Sequence, residues 1–391
     1  MTWVSPHTII GNAATGEKYF PRPLIHEEFW REIDKGNHIL FVAPRRVGKT
    51  SIMRELVDSC SEKYVCIYRD IEGVKTREEF FKRLYDIIIE CHQQSKISKV
   101  QSTMKDWIGR YSISELTVDG VKVNRVEIDY ERKLMELIPE LAGAKVHTII
   151  FLDEFAEVIN KLKKSGHQED AVAILHLLRE IRSTDSFKHF SIVFAGSIGL
   201  EFVIRQIARP NLINDLHPIR TDALTEEEAL RFIRKLTDGA TIQLESEVIN
   251  AIIQTTRHLL PYFIQLMIEK IDYIARKNED PVITEAIIQQ ATTDIIATNK
   301  NFEDWISRLK DYQSENFAFI NHLLKHVAHK GKINVQEIHN IAVMDAYKRQ
   351  DDYMDFVDEL VADGYLSESG NSYVFLSPFL EKFWKRKYPI L

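Results

Sequence analysis

One stretch limits what this chain can fold into more than any other. The apolar run His38 to Val42 leads into Ala43-Pro44-Arg45-Arg46-Val47-Gly48-Lys49-Thr50-Ser51, and a helical pattern follows. A Gly-Lys-Thr set at the junction of a buried strand and a helix predicts a loop wrapped around an anion at the helix N-terminus. Successive backbone N–H groups and the positive end of the helix favour a phosphate there. Gly48 lets backbone and phosphate approach closely. Lys49 reaches β- and γ-phosphate oxygens, and the Thr50 hydroxyl can ligate Mg2+. Ala43 replaces the first glycine of the motif, which removes one flexible position and no phosphate ligand. The bland alternative is a chance Gly-Lys-Thr in a turn. The strand before it and the helix after it weigh against that.

A second segment, Val146-His147-Thr148-Ile149-Ile150-Phe151-Leu152-Asp153-Glu154-Phe155, reads as a buried strand ending in two acids. Such a strand delivers Asp153 to hold Mg2+, usually through water, and Glu154 to polarise an attacking water. A third strand, Phe190 to Ala195, ends in Gly196-Ser197. Ser197 is a small polar group suited to sense the γ-phosphate. Ligands of open α/β sheets bind outside the carboxyl ends of the strands, where all three motifs place their polar groups. Lys49, Glu154 and Ser197 are thus the catalytic candidates of the chain itself. Thr50 and Asp153 are the metal candidates, and residues 43–51 the phosphate cradle.

Strands are expected near 38–43, 64–70, 147–152, 190–196 and 216–220 with helices between them, which is the pattern of a parallel α/β sheet. About 75 residues separate the second strand from the third. An apolar helix containing Phe80, Phe81, Leu84, Ile87 and Ile88 begins that insertion, a Val118-Asp119-Gly120-Val121 hairpin marks its middle, and a helix at about 129–141 closes it. After residue 220 the pattern turns helical. Thr225 to Glu228 forms a capping box, Pro261 suits a first helical turn, and Thr284 opens another helix. Residues 315–391 read as helices at 315–329, 335–342 and 347–363, a hairpin around Glu368-Ser369-Gly370-Asn371, and a last helix to Tyr388. Three helices and a hairpin make a winged helix. The expected organisation is therefore a core over 1–220, a helical lid over 221–314 and a winged-helix-like domain over 315–391.

The motif set Ala43-Pro44-Arg45-Arg46-Val47-Gly48-Lys49-Thr50, Phe151-Leu152-Asp153-Glu154-Phe155 and Phe194-Ala195-Gly196-Ser197 resembles the archaeal-type P-loop ATPases of the STAND and AAA+ branch, relatives of the archaeal replication initiators. That resemblance covers roughly residues 17–300. It implies ATP and Mg2+ as cofactors and a fold of parallel sheet, helical lid and winged helix. It implies that the box Tyr19-Phe20-Pro21-Arg22-Pro23 lies beside the adenine, with Arg22 a binding residue. It also implies a proline motif in the lid, matched by Pro261-Tyr262. The glycine of that motif is absent, since His258, Leu259 and Leu260 stand there. An arginine inserted into a neighbour's nucleotide site is a further property of such ATPases, worth ~10³–10⁵ in rate. Arg209 is the candidate, with Arg205 and Arg220 as alternatives.

Composition sets the remaining bounds. At about 100–200 residues per domain, 391 residues make two or three domains. The formal net charge of −7 gives no overall basic field for nucleic acid or a membrane surface. No apolar run approaches the ~18 residues of a membrane span. No secretory signal is read at the start, and three cysteines are too few for a disulfide framework. The expectation is a cytoplasmic protein with no membrane partner. Residues 315–391 hold nine Lys and Arg against eleven Asp and Glu, and the would-be recognition helix carries Asp351, Asp352, Asp355, Asp358, Glu359 and Asp363. Phosphates repel such a face, so a protein partner or self-association is expected before DNA. Lys382, Lys385, Arg386 and Lys387 are the only local basic cluster, and they also suit the end of a helix. His322, His326 and His329 share a helix face, but with no acid or cysteine nearby in sequence zinc is not expected. The resulting reading is an ATP-binding, slowly hydrolysing switch. Its alternative is a DNA-associated ATPase of the replication-initiator or transposition-regulator kind.

Overall fold

The computed structural model describes residues 2–94, 101–109, 128–143, 146–196, 199–207, 210–298, 300–312, 316–345 and 350–389. It divides into two compact units that do not follow chain order. One holds residues 21–42 and 52–220. The other holds residues 1–20, 43–51 and 221–391.

The first unit is built on five strands: β1 (Ile39–Val42), β2 (Tyr64–Asp70), β3 (His147–Asp153), β4 (Phe190–Ala195) and β5 (His217–Arg220). They lie in the order β2-β3-β4-β1-β5 and every pairing is parallel. The sequence predicts these boundaries to within a residue or two. The reason is visible in β3 and β4, where apolar residues run without alternation because both faces are covered. Parallel strands share one carboxyl edge, so Asp70, Asp153 and Ala195 end on the same side of the sheet. The flanking helices are α1 (Pro23–Asp34), most of α2 (Lys49–Asp58), α3 (Arg77–Gln94), α4 (Tyr130–Gly143), α5 (Phe155–Lys164), α6 (Gln168–Ser183) and α7 (Leu200–Gln206). Helix α5 buries Phe155, Ala156, Val158, Ile159 and Leu162, which anchors the segment right after the two acids. The hairpin expected near Asp119-Gly120 lies outside the described residues.

The second unit is helical through α8 (Glu226–Thr237), α9 (Ser246–Thr256), α10 (Pro261–Asn278), α11 (Glu285–Ala297) and α12 (Lys300–Tyr312). The capping box at Thr225 is formed in both directions with Glu228, and Pro261 is the first residue of α10. Helix α12 was not read from the sequence. The chain then runs through α13 (Phe317–Lys330), β6 (Ile333–Asn334), α14 (Val335–Met344), α15 (Gln350–Ala362), β7 (Leu366–Ser369), β8 (Ser372–Phe375) and α16 (Pro378–Lys387). The three short strands form an antiparallel sheet in the order β6-β8-β7. This is the winged-helix-like order of elements. Stacked rings hold it to the helices before it: Phe263 lies 5.2 Å from Phe379, and Phe302 lies 4.6 Å from Phe383. The N-terminal arm joins the same unit. Val4 and Thr241 bond through both backbone and side chain, and the indole of Trp3 donates to Asp272.

Among the described residues, no helix is long and apolar enough to cross a membrane. The histidines of α13 find acids that sequence proximity did not suggest. Asp345, just after α14, lies 3.1 Å from His322, and Glu337 lies 3.7 Å from His326. The helical hairpin of α13 and α14 brings them together.

A buried histidine beneath β1 makes the sheet sensitive to acid. His38 is 8% exposed, and its Nδ1 accepts the N–H of Ile192 at 3.0 Å. Burial, aided by nearby Arg182, pulls its pKa down to about 3. The unfolded chain takes that proton near pH 6.5. Between those values the unfolded state binds more protons, so stability falls as pH drops from about 6.5 toward 3. His147 adds to the same window, pulled down to about 4 by burial and by His189. The urea midpoint should therefore decline steadily between pH 7 and 4. His38→Asn, which keeps an acceptor for Ile192, should flatten that decline; an unchanged slope would remove His38 as its source.

Candidate functional site

The acidic candidates lie in the sheet unit. Asp153 is the last residue of β3 and is 2% exposed. A carboxylate so far from water needs partners for both oxygens. Oδ1 accepts the backbone N–H of Glu154 at 3.0 Å, and Oδ2 accepts the hydroxyl of Tyr68 at 2.9 Å. Glu154 stands at the N-cap of α5 with φ 57 and ψ 29, in the left-handed region, and its side chain caps nothing. Its carbonyl accepts the N–H groups of Glu157 and Val158. The chain thus leaves β3 by one strained residue and enters a helix at once. Non-glycine residues are rare in that conformation and cluster at functional sites.

More acid gathers there. Asp70 ends β2 directly opposite Asp153 in register. Burial, with Asp153, Glu154 and Glu72 close by, pushes the Asp70 carboxyl up. Lys161 offsets part of this charge, 3.4 Å from Glu157 and 3.6 Å from Glu72. The ring of Tyr68 carries the Arg54 guanidinium 5.2 Å from its centroid. A carboxylate such as Asp153 is the kind of hard oxygen donor that a divalent cation such as Mg2+ takes.

The loop of residues 43–51 belongs to the other unit. Gly48 has φ 97, and a Cβ there would meet nothing within 4 Å, so the backbone angle and not space requires glycine. Ala43 is not in the left-handed region, which is why this chain does without the first glycine of the motif. Arg46 instead takes φ 69. Val47 is buried, while Lys49 and Thr50 open α2 half-buried. The Ser51 hydroxyl accepts the N–H of Ala14 at 2.9 Å.

Two arginines of the loop are held within this unit. Asp304 of α12 accepts from Arg45 at 3.3 Å and from Arg46 at 3.0 Å, both on Oδ2. The Arg45 guanidinium lies 5.6 Å from the centre of the Trp305 ring, and that of Arg46 lies 4.5 Å from Tyr262. Burial, with Arg308 and Arg46 nearby, pulls Arg45 down to about 10, which leaves it charged at neutral pH. Nη1 of Arg45 and Nε of Arg46 are buried with no hydrogen-bond partner. Buried cationic donors left over around this loop fit an anion. Gly364, φ 82, approaches the same loop: a Cβ there would stand 3.2 Å from Pro44 Cβ. Tyr365 then donates to the carbonyl of Trp305 at 2.6 Å.

The other sequence candidates are dispersed. Arg22 is the N-cap of α1 in the sheet unit. Tyr19 is buried in the other unit, its carbonyl accepting Lys235 of α8 at 2.7 Å, while Phe20 packs on Phe232. Ser197 and Arg209 lie outside the described residues. Asp304, Trp305 and Tyr68 were missed by the sequence reading. An aromatic residue in a strand and an acid in an amphipathic helix carry no motif. Among the described residues, no cluster of three or more His, Cys, Asp or Glu side chains suits a metal ion.

No protein-family model matches this chain, and no curated protein matches it. Solved structures do. The chain is similar to a Walker-type ATPase of Pyrococcus abyssi, with 14% identity, 95% of this chain and 98% of that chain covered, and a TM-score of 0.62. It is also similar to the ORC2 protein of Aeropyrum pernix at 13% identity, 93% coverage of both chains and a TM-score of 0.49. The RuvB Holliday junction branch migration motor of Thermotoga maritima matches at 12% identity, 97% and 98% coverage, and a TM-score of 0.44. The chain shares its fold with the Walker-type ATPase of Pyrococcus abyssi.

The left-handed Glu154 gives a stability test of the site. A non-glycine residue there costs ~1–2 kcal/mol, part of which glycine returns through its larger unfolded-state entropy. Glu154→Gly should therefore raise the unfolding free energy by about 0.5–1 kcal/mol. A destabilised variant in urea titration would mean that the Glu154 side chain contributes more to folding than its backbone angle costs.

Proposed function

We propose that this chain is a magnesium-dependent, slowly hydrolysing ATPase that acts as a switch, coupling nucleotide state to a protein partner. In this reading the loop 43–51 cradles the phosphates, with Lys49 on the β- and γ-oxygens. Thr50 and Asp153 hold the cation, and Pro261 and Arg22 flank the nucleotide. Bound Mg2+ supplies charge neutralisation on the phosphate oxygens. Glu154 orients and polarises the attacking water by accepting its hydrogen bond, since a carboxylate at a strand end is a competent general base. Ser197 senses the γ-phosphate and Arg209 serves a neighbouring copy's site.

The observation that carries the switch is the grip of Asp304 on Arg45 and Arg46. Asp304 is 59% exposed, so each ion pair contributes at most about 1 kcal/mol. A nucleotide's phosphates bring several negative charges to the same two guanidinium groups and outcompete one carboxylate. Occupation of the loop then releases α12, and the Gly364 turn packed on Pro44 responds with it. Coupling of this kind favours long residence in each state over fast turnover.

A protein partner is favoured over DNA. Helix α15 turns Tyr353, Phe356, Val357 and Leu360 inward and keeps Asp358 exposed. Lys385, Arg386 and Lys387 occupy the last turn of α16, where they complement its C-terminus. Arg386 and Lys387 also lie over Phe383. Lys385, Arg386 and Lys387 thus have local work at the helix end.

Two measurements test the reading. Lys49→Ala should abolish Mg-ATP binding in calorimetry, and Glu154→Gln should bind ATP while hydrolysing it ~10²-fold more slowly. Parent-like affinity in the first, or parent-like hydrolysis in the second, rejects the corresponding assignment. For the switch, Asp304→Ala should tighten ADP and ATP binding about threefold to fivefold, the equivalent of up to ~1 kcal/mol. Unchanged affinity would show that the grip on the loop does not compete with phosphate.

A further inference from the structure

We propose that Tyr68 is a positioning residue for the acid at the end of β3, holding the Asp153 carboxylate in one orientation for a divalent cation bound with nucleotide. The inference rests on the reading of Asp153 as the carboxylate that serves the cation.

Strand register explains why this residue reaches. Tyr68 pairs with Phe151, so Asp153 stands two residues further along the neighbouring strand on the same face. The diagonal gap between the two strands is one that a long aromatic side chain can span. The phenol places its hydroxyl 2.9 Å from Oδ2. Phenylalanine would fill the same space and donate nothing.

The hydroxyl also has something to fix. The terminal torsion of an aspartate is broad, so packing alone leaves the carboxylate plane free to turn. The bond from Glu154 N–H to Oδ1 constrains one oxygen. The bond from Tyr68 constrains the other and so sets the plane.

Tyr68 is itself held in place. The Arg54 guanidinium stacks on its ring, and Arg54 belongs to α2, the helix that Lys49 and Thr50 open. Rotation of the ring away from Asp153 would lose that stacking as well as the hydrogen bond. Groups that orient a ligand side chain in this way typically change metal affinity by about 10–100-fold when removed.

The test is a Mn2+ titration of the full chain with ADP, read by electron paramagnetic resonance, beside ADP binding in EDTA and urea unfolding. Tyr68→Phe should weaken Mn2+ about tenfold. Its metal-free ADP affinity should stay within about twofold and its unfolding midpoint close to the parent, since the ring remains. Parent-like Mn2+ affinity in Tyr68→Phe overturns the proposal. Asp153→Asn separates the two levels: if it leaves Mn2+ affinity unchanged, the assignment of Asp153 fails and this proposal with it. If Asp153→Asn weakens Mn2+ and Tyr68→Phe does not, only the positioning role fails.

Discussion

A carboxylate at the end of a buried strand is a costly group, and much of the local structure answers to it. Asp153 is 2% exposed because β3 is covered on both faces and flanked by β2 and β4. An isolated ion there would neutralise itself or unfold the edge. Instead the chain turns through a left-handed Glu154, which aims a backbone N–H at one oxygen, and β2 supplies a phenol to the other. The strain at Glu154 and the burial of a polar phenol are both costs. They are repaid together, since each satisfies an oxygen that would otherwise be left unpaired in a low-dielectric setting.

The other unit faces the opposite problem. Two adjacent arginines on a short loop repel each other, and burial raises that repulsion; the lowered pKa of Arg45 records both effects. One acid, Asp304, accepts from both guanidinium groups, and the rings of Trp305 and Tyr262 cover their faces. This leaves more positive charge than negative among the named side chains.

The parts of this arrangement that sequence made legible are those with a fixed local spacing. Gly48-Lys49-Thr50 and Asp153-Glu154 each sit within a few residues of a strand end, and buried parallel strands announce themselves as unbroken apolar runs. The Thr225 capping box is equally local. What stayed hidden depends on distant partners. Asp304 lies more than 250 positions from the arginines it binds, on a helix whose own pattern is ordinary. Tyr68 looks like any aromatic strand former until the register of β2 on β3 is known. The acids beside His322 and His326 became neighbours only through the α13–α14 hairpin. In each case the chemistry belongs to a pairing, and a pairing has no signature in either segment alone.

The loss of the motif's first glycine connects these points. Position 43 has an ordinary backbone angle, so alanine costs nothing there. The loop still has to reverse direction, and Arg46 joins Gly48 in doing so at positive φ. For a side chain with a Cβ that conformation costs ~1–2 kcal/mol. The contacts that hold Arg46 are an exposed ion pair, worth up to ~1 kcal/mol, and a cation–π contact with Tyr262, worth ~0.5–1 kcal/mol. Strain and grip are therefore of the same size. A loop balanced in this way is stable enough to keep one conformation with Asp304 in place, and close enough to neutrality that a change of anion partner can shift it.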